Sequence, residues 1–144
     1  MILKRGSDRA KERDRQELIK RGLTVGGNYF RKIHTTGIPD GKGGFRSNPS
    51  AGVSDLVGVM RLPCPHCRHP VGRFVSVEVK RAHRKLRPKQ EEFRHGVLTA
   101  GGIAVVARDL EEARMEITAA LVEERETGRI SYHPLPTEKE RRGH

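Results

Sequence analysis

Residues 73–80 read Arg-Phe-Val-Ser-Val-Glu-Val-Lys. Successive side chains of an extended chain alternate, so Val75, Val77 and Val79 share one side and Phe74, Ser76, Glu78 and Lys80 the other. The valine side predicts a buried strand, and the other side places an acid and an amine two positions apart on it. Upstream, Asp55–Leu62 (DLVGVMRL) is apolar on both alternating sides, Leu56 and Met60 on one, Val57 and Val59 on the other. That pattern predicts a central strand covered on both faces. The two segments are joined by a short turn, so an antiparallel hairpin would bring Asp55 toward Glu78.

Further outward, the segment from Ser7 or Asp8 to Arg21 lacks Gly and Pro and is poor in apolar residues, which predicts a largely exposed helix. Leu23–Thr35 holds Val25, Tyr29, Phe30 and Ile33 among Gly26, Gly27 and Asn28 and reads as a strand or irregular hairpin. Residues 37–50 are dense in Gly and Pro and read as a loop. Pro88 suits the first turn of a helix to about Ala100, with Gln90, Phe93 and Val97 on one face. Ile103–Ala107 is a short apolar strand, and Asp109 caps a last helix bearing Leu110, Ala113, Ile117, Ala120 and Leu121. The order α, β, β, β, α, β, α gives an α/β fold, a mixed central sheet flanked by helices, with the strand after the Pro88 helix parallel to a neighbour. One domain is expected over residues 1–126, with a Cys-containing turn at 63–70 and a basic, flexible tail at 127–144.

The chain has 144 residues, with 29 Lys and Arg against 18 Asp and Glu. The excess is concentrated: six basic residues and no acid lie between Lys80 and Lys89, whereas seven acids oppose two arginines between Asp109 and Glu126. A basic side of this kind attracts a phosphate backbone through Coulomb energy and counterion release. The longest apolar run, Ile103–Ala107, is five residues, far short of a membrane span of about 20. The beginning of the chain shows no apolar secretory segment, so an intracellular, cytoplasmic location is expected and nucleic acid is the expected anionic partner.

Two carboxylates with water make a hard-oxygen site suited to Mg²⁺ or Mn²⁺. Lys80, on the same side of the strand as Glu78, can stabilise charge developing on a phosphate. Gly52, Ser54-Asp55, Glu78-Val79-Lys80 and Gln90 resemble the PD-(D/E)XK nuclease superfamily, in particular its VRR-NUC branch, over about residues 12–108. The resemblance implies a restriction-endonuclease-like αβββαβα core and a Mg²⁺-dependent endodeoxyribonuclease. It also implies that Asp55, Glu78 and the Val79 carbonyl bind the metal, that Lys80 assists the attacking water, that Gln90 orients the site, and that Glu17, with Glu12 as the alternative, supplies a helical acid. Small members resemble Holliday-junction resolvases, which implies branched DNA as substrate, a homodimer, and a phage-encoded protein acting in its host cell as one possible origin. Arg81, Arg84, Lys85, Arg87 and Lys89 would then grip the DNA backbone. Ser54 departs from the family's usual proline.

Gly37-Ile38-Pro39-Asp40 matches the literal motif better, but glycines follow Asp40 and no rigid strand can carry it. The Cys64-Pro-His-Cys-Arg-His69 turn holds two thiols at C-x-x-C spacing. Zinc there would use Cys64, Cys67 and His69, or His66 in place of His69, with a remote or intersubunit ligand completing the four. Two further classes compete with the nuclease: a nucleic-acid-binding module without catalysis, with or without structural zinc, and a zinc-stabilised adaptor. Neither gives the acids a role.

Overall fold

The structure, a computed structural model, describes residues 3–81 and 85–127. Arg84 and the tail from residue 128 onward, both singled out above, lie outside them. The elements are α1 (Leu3–Leu23), β1 (Tyr29–Lys32), β2 (Ile38–Pro39), β3 (Phe45–Arg46), β4 (Leu56–Pro63), β5 (Pro70–Val79), α2 (Pro88–Thr99), β6 (Ile103–Ala107) and α3 (Leu110–Thr127). Apart from the small β2–β3 hairpin, which forms where a loop is expected, this is the order α, β, β, β, α, β, α. The main sheet runs β1-β4-β5-β6, with β1/β4 and β4/β5 antiparallel and β5/β6 parallel. The fold is mixed α/β.

The valine side of β5 is the centre of the core: Val75, Val77 and Val79 are buried together with Leu56, Phe30, Ile103, Val105 and Ala107. From above this face α1 contributes Ile19 and Leu23, and α3 contributes Ala113 and Ile117. The apolar spacing of each helix selects its inward face, which on α1 also takes in Gln16. Gly58 lets β1 and β4 close up, because a Cβ there would lie 2.4 Å from the Phe30 ring. Asp109 caps α3, its carboxylate accepting the Glu112 N–H at 2.8 Å.

Arg73 belongs to this core face as well, and its guanidinium meets the Glu124 carboxylate of α3, with Nη1 to Oε2 at 3.0 Å. The acidic run of α3 thus supplies a counter-charge for a cation the sheet has buried.

The expectation that β4 is covered on both faces is not met. Leu56 is fully buried, but Val59, which points the opposite way, is 43% exposed. The helix on that second face is α2, which packs against β6 and leaves the β1–β4 half open. Among the described residues no helix is long and apolar enough to cross a membrane.

Candidate active site

Antiparallel pairing of β4 and β5 runs from Pro63 with Pro70 to Leu56 with Val77. One step beyond, at the mouth of the hairpin, Asp55 lies opposite Glu78. The Asp55 carboxylate accepts the Val79 main-chain N–H at 2.8 Å, which ties the start of β4 to the end of β5. Asp55 and Glu78, 23 positions apart in sequence, therefore share one site on the face away from the core.

Glu78 is 5% exposed. Its Oε1 accepts the Gln90 side-chain amide at 2.6 Å and stands 3.5 Å from the Lys80 ammonium. Its Oε2 is buried and has no hydrogen-bond partner among the described residues. Burial, reinforced by the charge of Asp55, pushes the Glu78 carboxyl up to about 7, against the opposing pull of Lys80. Burial also raises Asp55, opposed by the Val79 N–H and helped by the negative charge of Glu12. Two acids so placed resist simultaneous ionisation unless a cation joins them.

Gln90 is held at both ends. Its amide oxygen accepts the Arg87 N–H at 2.9 Å while its nitrogen donates to Glu78, so the first turn of α2 is anchored on the acid. Pro88 supplies the fixed φ that suits a first helical turn, where its missing N–H costs nothing. The 51–53 turn closes on this helix start at Gly52, where φ is +95° and a Cβ would lie 2.9 Å from the Lys89 carbonyl oxygen. A side chain at position 52 would therefore push the turn off the helix that positions Gln90.

The structure thus brings together Asp55, Glu78, Lys80, Gln90 and the backbone of Val79, whose N–H serves Asp55. Glu17 is not brought to them. Its carboxylate pairs with Lys20 and Arg21, each at 3.0 Å, and those contacts hold its carboxyl below the usual range. Glu12, Gln16, Ile19 and Leu23 instead follow the spacing of the buried face of α1, and the charge of Glu12 is felt at Asp55. Glu17 is turned about 140° from Glu12 at ~100° per residue, so the helical acid facing the site is Glu12. That periodicity was present in the sequence and identifies the residue once Ile19 is taken as the inward position.

Of the basic residues named for DNA, Lys85, Arg87 and Lys89 are exposed around the start of α2, and Arg81 is half-buried. Asp40 sits between β2 and β3, with its own carboxylate accepting the Lys42 and Gly44 N–H groups at 2.7 and 2.9 Å. It stabilises that turn.

The Cys64–His69 turn joins β4 to β5, closed by Cys64 N–H to His69 O at 2.8 Å and Arg68 N–H to Cys64 O at 2.9 Å. The main-chain N–H groups of Cys67 and His66 lower the Cys64 thiol, which favours thiolate. His69 is not gathered with the two thiols into a ligand group: among the described residues no three His, Cys, Asp or Glu are arranged to hold a metal ion. The Asp55–Glu78 site likewise offers two side-chain acids, which matches the habit of Mg²⁺ to bind through one or two carboxylates and keep waters.

No family model, curated protein or solved structure matches the chain.

Proposed function

We propose that the chain is a metal-dependent DNA endonuclease that hydrolyses phosphodiester bonds at the Asp55–Glu78 site. The observation that carries this reading is the buried Oε2 of Glu78, without a hydrogen-bond partner among the described residues, beside a second acid and with Lys80 on the same face. An orphaned carboxylate oxygen in a dry site costs free energy unless something satisfies it. A divalent cation fits: the donors are hard oxygens, and the pair is repelled into partial protonation without one.

Asp55, Glu78 and the Val79 carbonyl would hold Mg²⁺ or Mn²⁺. When bound, such an ion supplies charge neutralisation and Lewis acidity toward a phosphate. The chain's own residues do the rest. Val79 N–H fixes the Asp55 carboxylate, and Gln90 fixes Glu78, so neither acid swings away when a phosphate approaches. Lys80 holds an ammonium 3.5 Å from Glu78 Oε1, where it can stabilise negative charge developing on the phosphate or favour loss of a proton from the attacking water. Lys85, Arg87 and Lys89 present cations to the backbone of the bound strand and contribute affinity without base specificity. A branched substrate, a two-fold assembly and action inside the cell are supported by the sequence resemblance.

The test is cleavage of an end-labelled four-way junction and a matched linear duplex by wild type, Glu78→Gln and Lys80→Ala, with Mg²⁺ or with EDTA. Metal-dependent cutting by wild type alone supports the assignment, and the junction-to-duplex rate ratio identifies the substrate. Equal binding by all three proteins with no cutting in Mg²⁺ or Mn²⁺ sinks it and leaves a binding module.

A further inference from the structure

On the side of the sheet that carries Asp55 and Glu78, Ser76 is buried next to the site, and the surface opens beyond it toward the Cys64–His69 turn. Tyr29 pairs with Val59 across β1 and β4, and Val59 pairs with Phe74 across β4 and β5. The three form one cross-strand row, exposed by 59%, 43% and 41%. An apolar row left open on a sheet in so basic a chain calls for an occupant.

We propose that this row and the adjoining cleft bind unpaired nucleobases of the strand whose phosphate lies at Asp55 and Glu78; this rests on the reading of that site as acting on DNA. Two observations select the occupant. First, the row lies on the same side of the sheet as the site. Phe74, Ser76 and Glu78 lie on the same side of β5, with Ser76 buried between the other two, and the four steps from Phe74 to Glu78 span about 13 Å at ~3.3 Å per residue. That is the length of about four nucleotides at the ~3.4 Å stacked rise of one strand, and of fewer when bases are unstacked.

The cleft makes the same connection along α2. A space of about 720 Å³ is lined by Phe74, Phe93, Gly102, Val53 and Gly52 and reaches Lys89, the neighbour of Gln90. Its walls carry two aromatic rings and several glycines, which suits a flat heterocycle.

Second, the charges fit an anionic chain with apolar faces. Arg31 and Arg61 alternate onto the open side with Tyr29 and Val59, both exposed and with no ion pair among the described residues. With Lys89 they place cations on both sides of the apolar row, against a single acid, Glu92, on the cleft lining. Aromatic side chains interspersed with cations form the usual platform for single-stranded nucleic acid. A paired duplex keeps its bases stacked and cannot use it. A substrate with a gap, flap or open branch point can.

The experiment measures binding by fluorescence anisotropy in EDTA, with the full chain and labelled oligonucleotides of equal length, one single-stranded and one duplex. The variants are Phe74→Ala and Phe74→Leu, the second of which keeps apolar bulk so that folding is preserved. Circular dichroism checks both. The expected result is about a tenfold loss of single-strand affinity in each variant, with duplex affinity changed less than twofold.

Equal losses on both DNAs, or no loss on either, overturn the proposal. So does a failure of wild type to bind single strands. A wild-type dimer that Phe74→Leu dissociates in sedimentation, with single-strand affinity unchanged, overturns it in favour of a second copy on this face. Phe74-dependent single-strand binding by a protein that cuts nothing would instead support the platform while removing the nuclease reading.

Discussion

The Gln90 side-chain amide donates to Glu78 Oε1 at 2.6 Å while its own oxygen accepts the Arg87 N–H at 2.9 Å. One side chain thus joins the start of α2 to the buried acid of β5. Replacing Gln90 by Ala frees Glu78 to rotate and leaves a second oxygen short of a donor. Cleavage by Gln90→Ala is expected to fall about 10- to 100-fold, the range seen when a residue that orients a metal ligand is removed, with DNA affinity nearly unchanged. Single-turnover rates set against anisotropy titrations check this. Equal losses in rate and affinity would show that Gln90 contacts DNA instead.

The raised Glu78 carboxyl makes stability depend on pH. Its folded value, about 7, lies above its ordinary 4.5, so the folded state holds the extra proton between those values. Stability from this group is therefore present below about pH 4.5 and is lost as pH rises through 7. In EDTA, Glu78→Gln is expected to match wild type near pH 5 and to exceed it by about 1–2 kcal/mol at pH 8.

Saturating Mg²⁺ at pH 8 is expected to reverse that order, stabilising wild type by about 2–3 kcal/mol at a hundredfold excess over Kd and leaving Glu78→Gln nearly unmoved. Urea unfolding at the two pH values, with and without metal, gives all four numbers. A pH-independent difference between the two proteins would show that Glu78 is ionised at its ordinary value.

Glu12 and Glu17 separate cleanly. Glu12 bears on Asp55 through its charge, so Glu12→Gln is expected to bring the Asp55 titration down toward its ordinary range. Glu17→Gln is expected to leave that titration in place and to change stability little, because its partners Lys20 and Arg21 form solvent-screened helical pairs. Carboxyl-carbon NMR titrations of both variants decide which helical acid belongs to the site.

The contact between Arg73 and Glu124 spans β5 and α3 far along the strand from Glu78, with side chains 8% and 22% exposed. Removing the carboxylate leaves a buried guanidinium with less to balance it. Glu124→Gln is expected to destabilise by about 3 kcal/mol without changing the cleavage rate measured below the melting range. Denaturant unfolding and a rate at low temperature test both halves.

Much of this was determined by sequence alone. The valine alternation of residues 73–80 determined a strand with a buried face and an acid opposite it; Asp55, Glu78 and Lys80 stand out at a strand start and a strand end, whereas Gln90, in a first helical turn, was singled out by the sequence resemblance. Local physics sets those boundaries through side-chain alternation, proline's fixed φ and helix capping.

Only the tertiary structure decided which acid of α1 faces the site, since Glu17, with Glu12 as the alternative, fits a polar helix until the core claims Ile19 and Leu23. It also decided that β4 is central yet open on one side. Val57 and Val59 look like a second buried face in sequence, but coverage depends on where α2 lands, and α2 packs on β6. The row of Tyr29, Val59 and Phe74 arises from the register between three strands, which pairs residues 30 and 15 positions apart and leaves no trace in any local window.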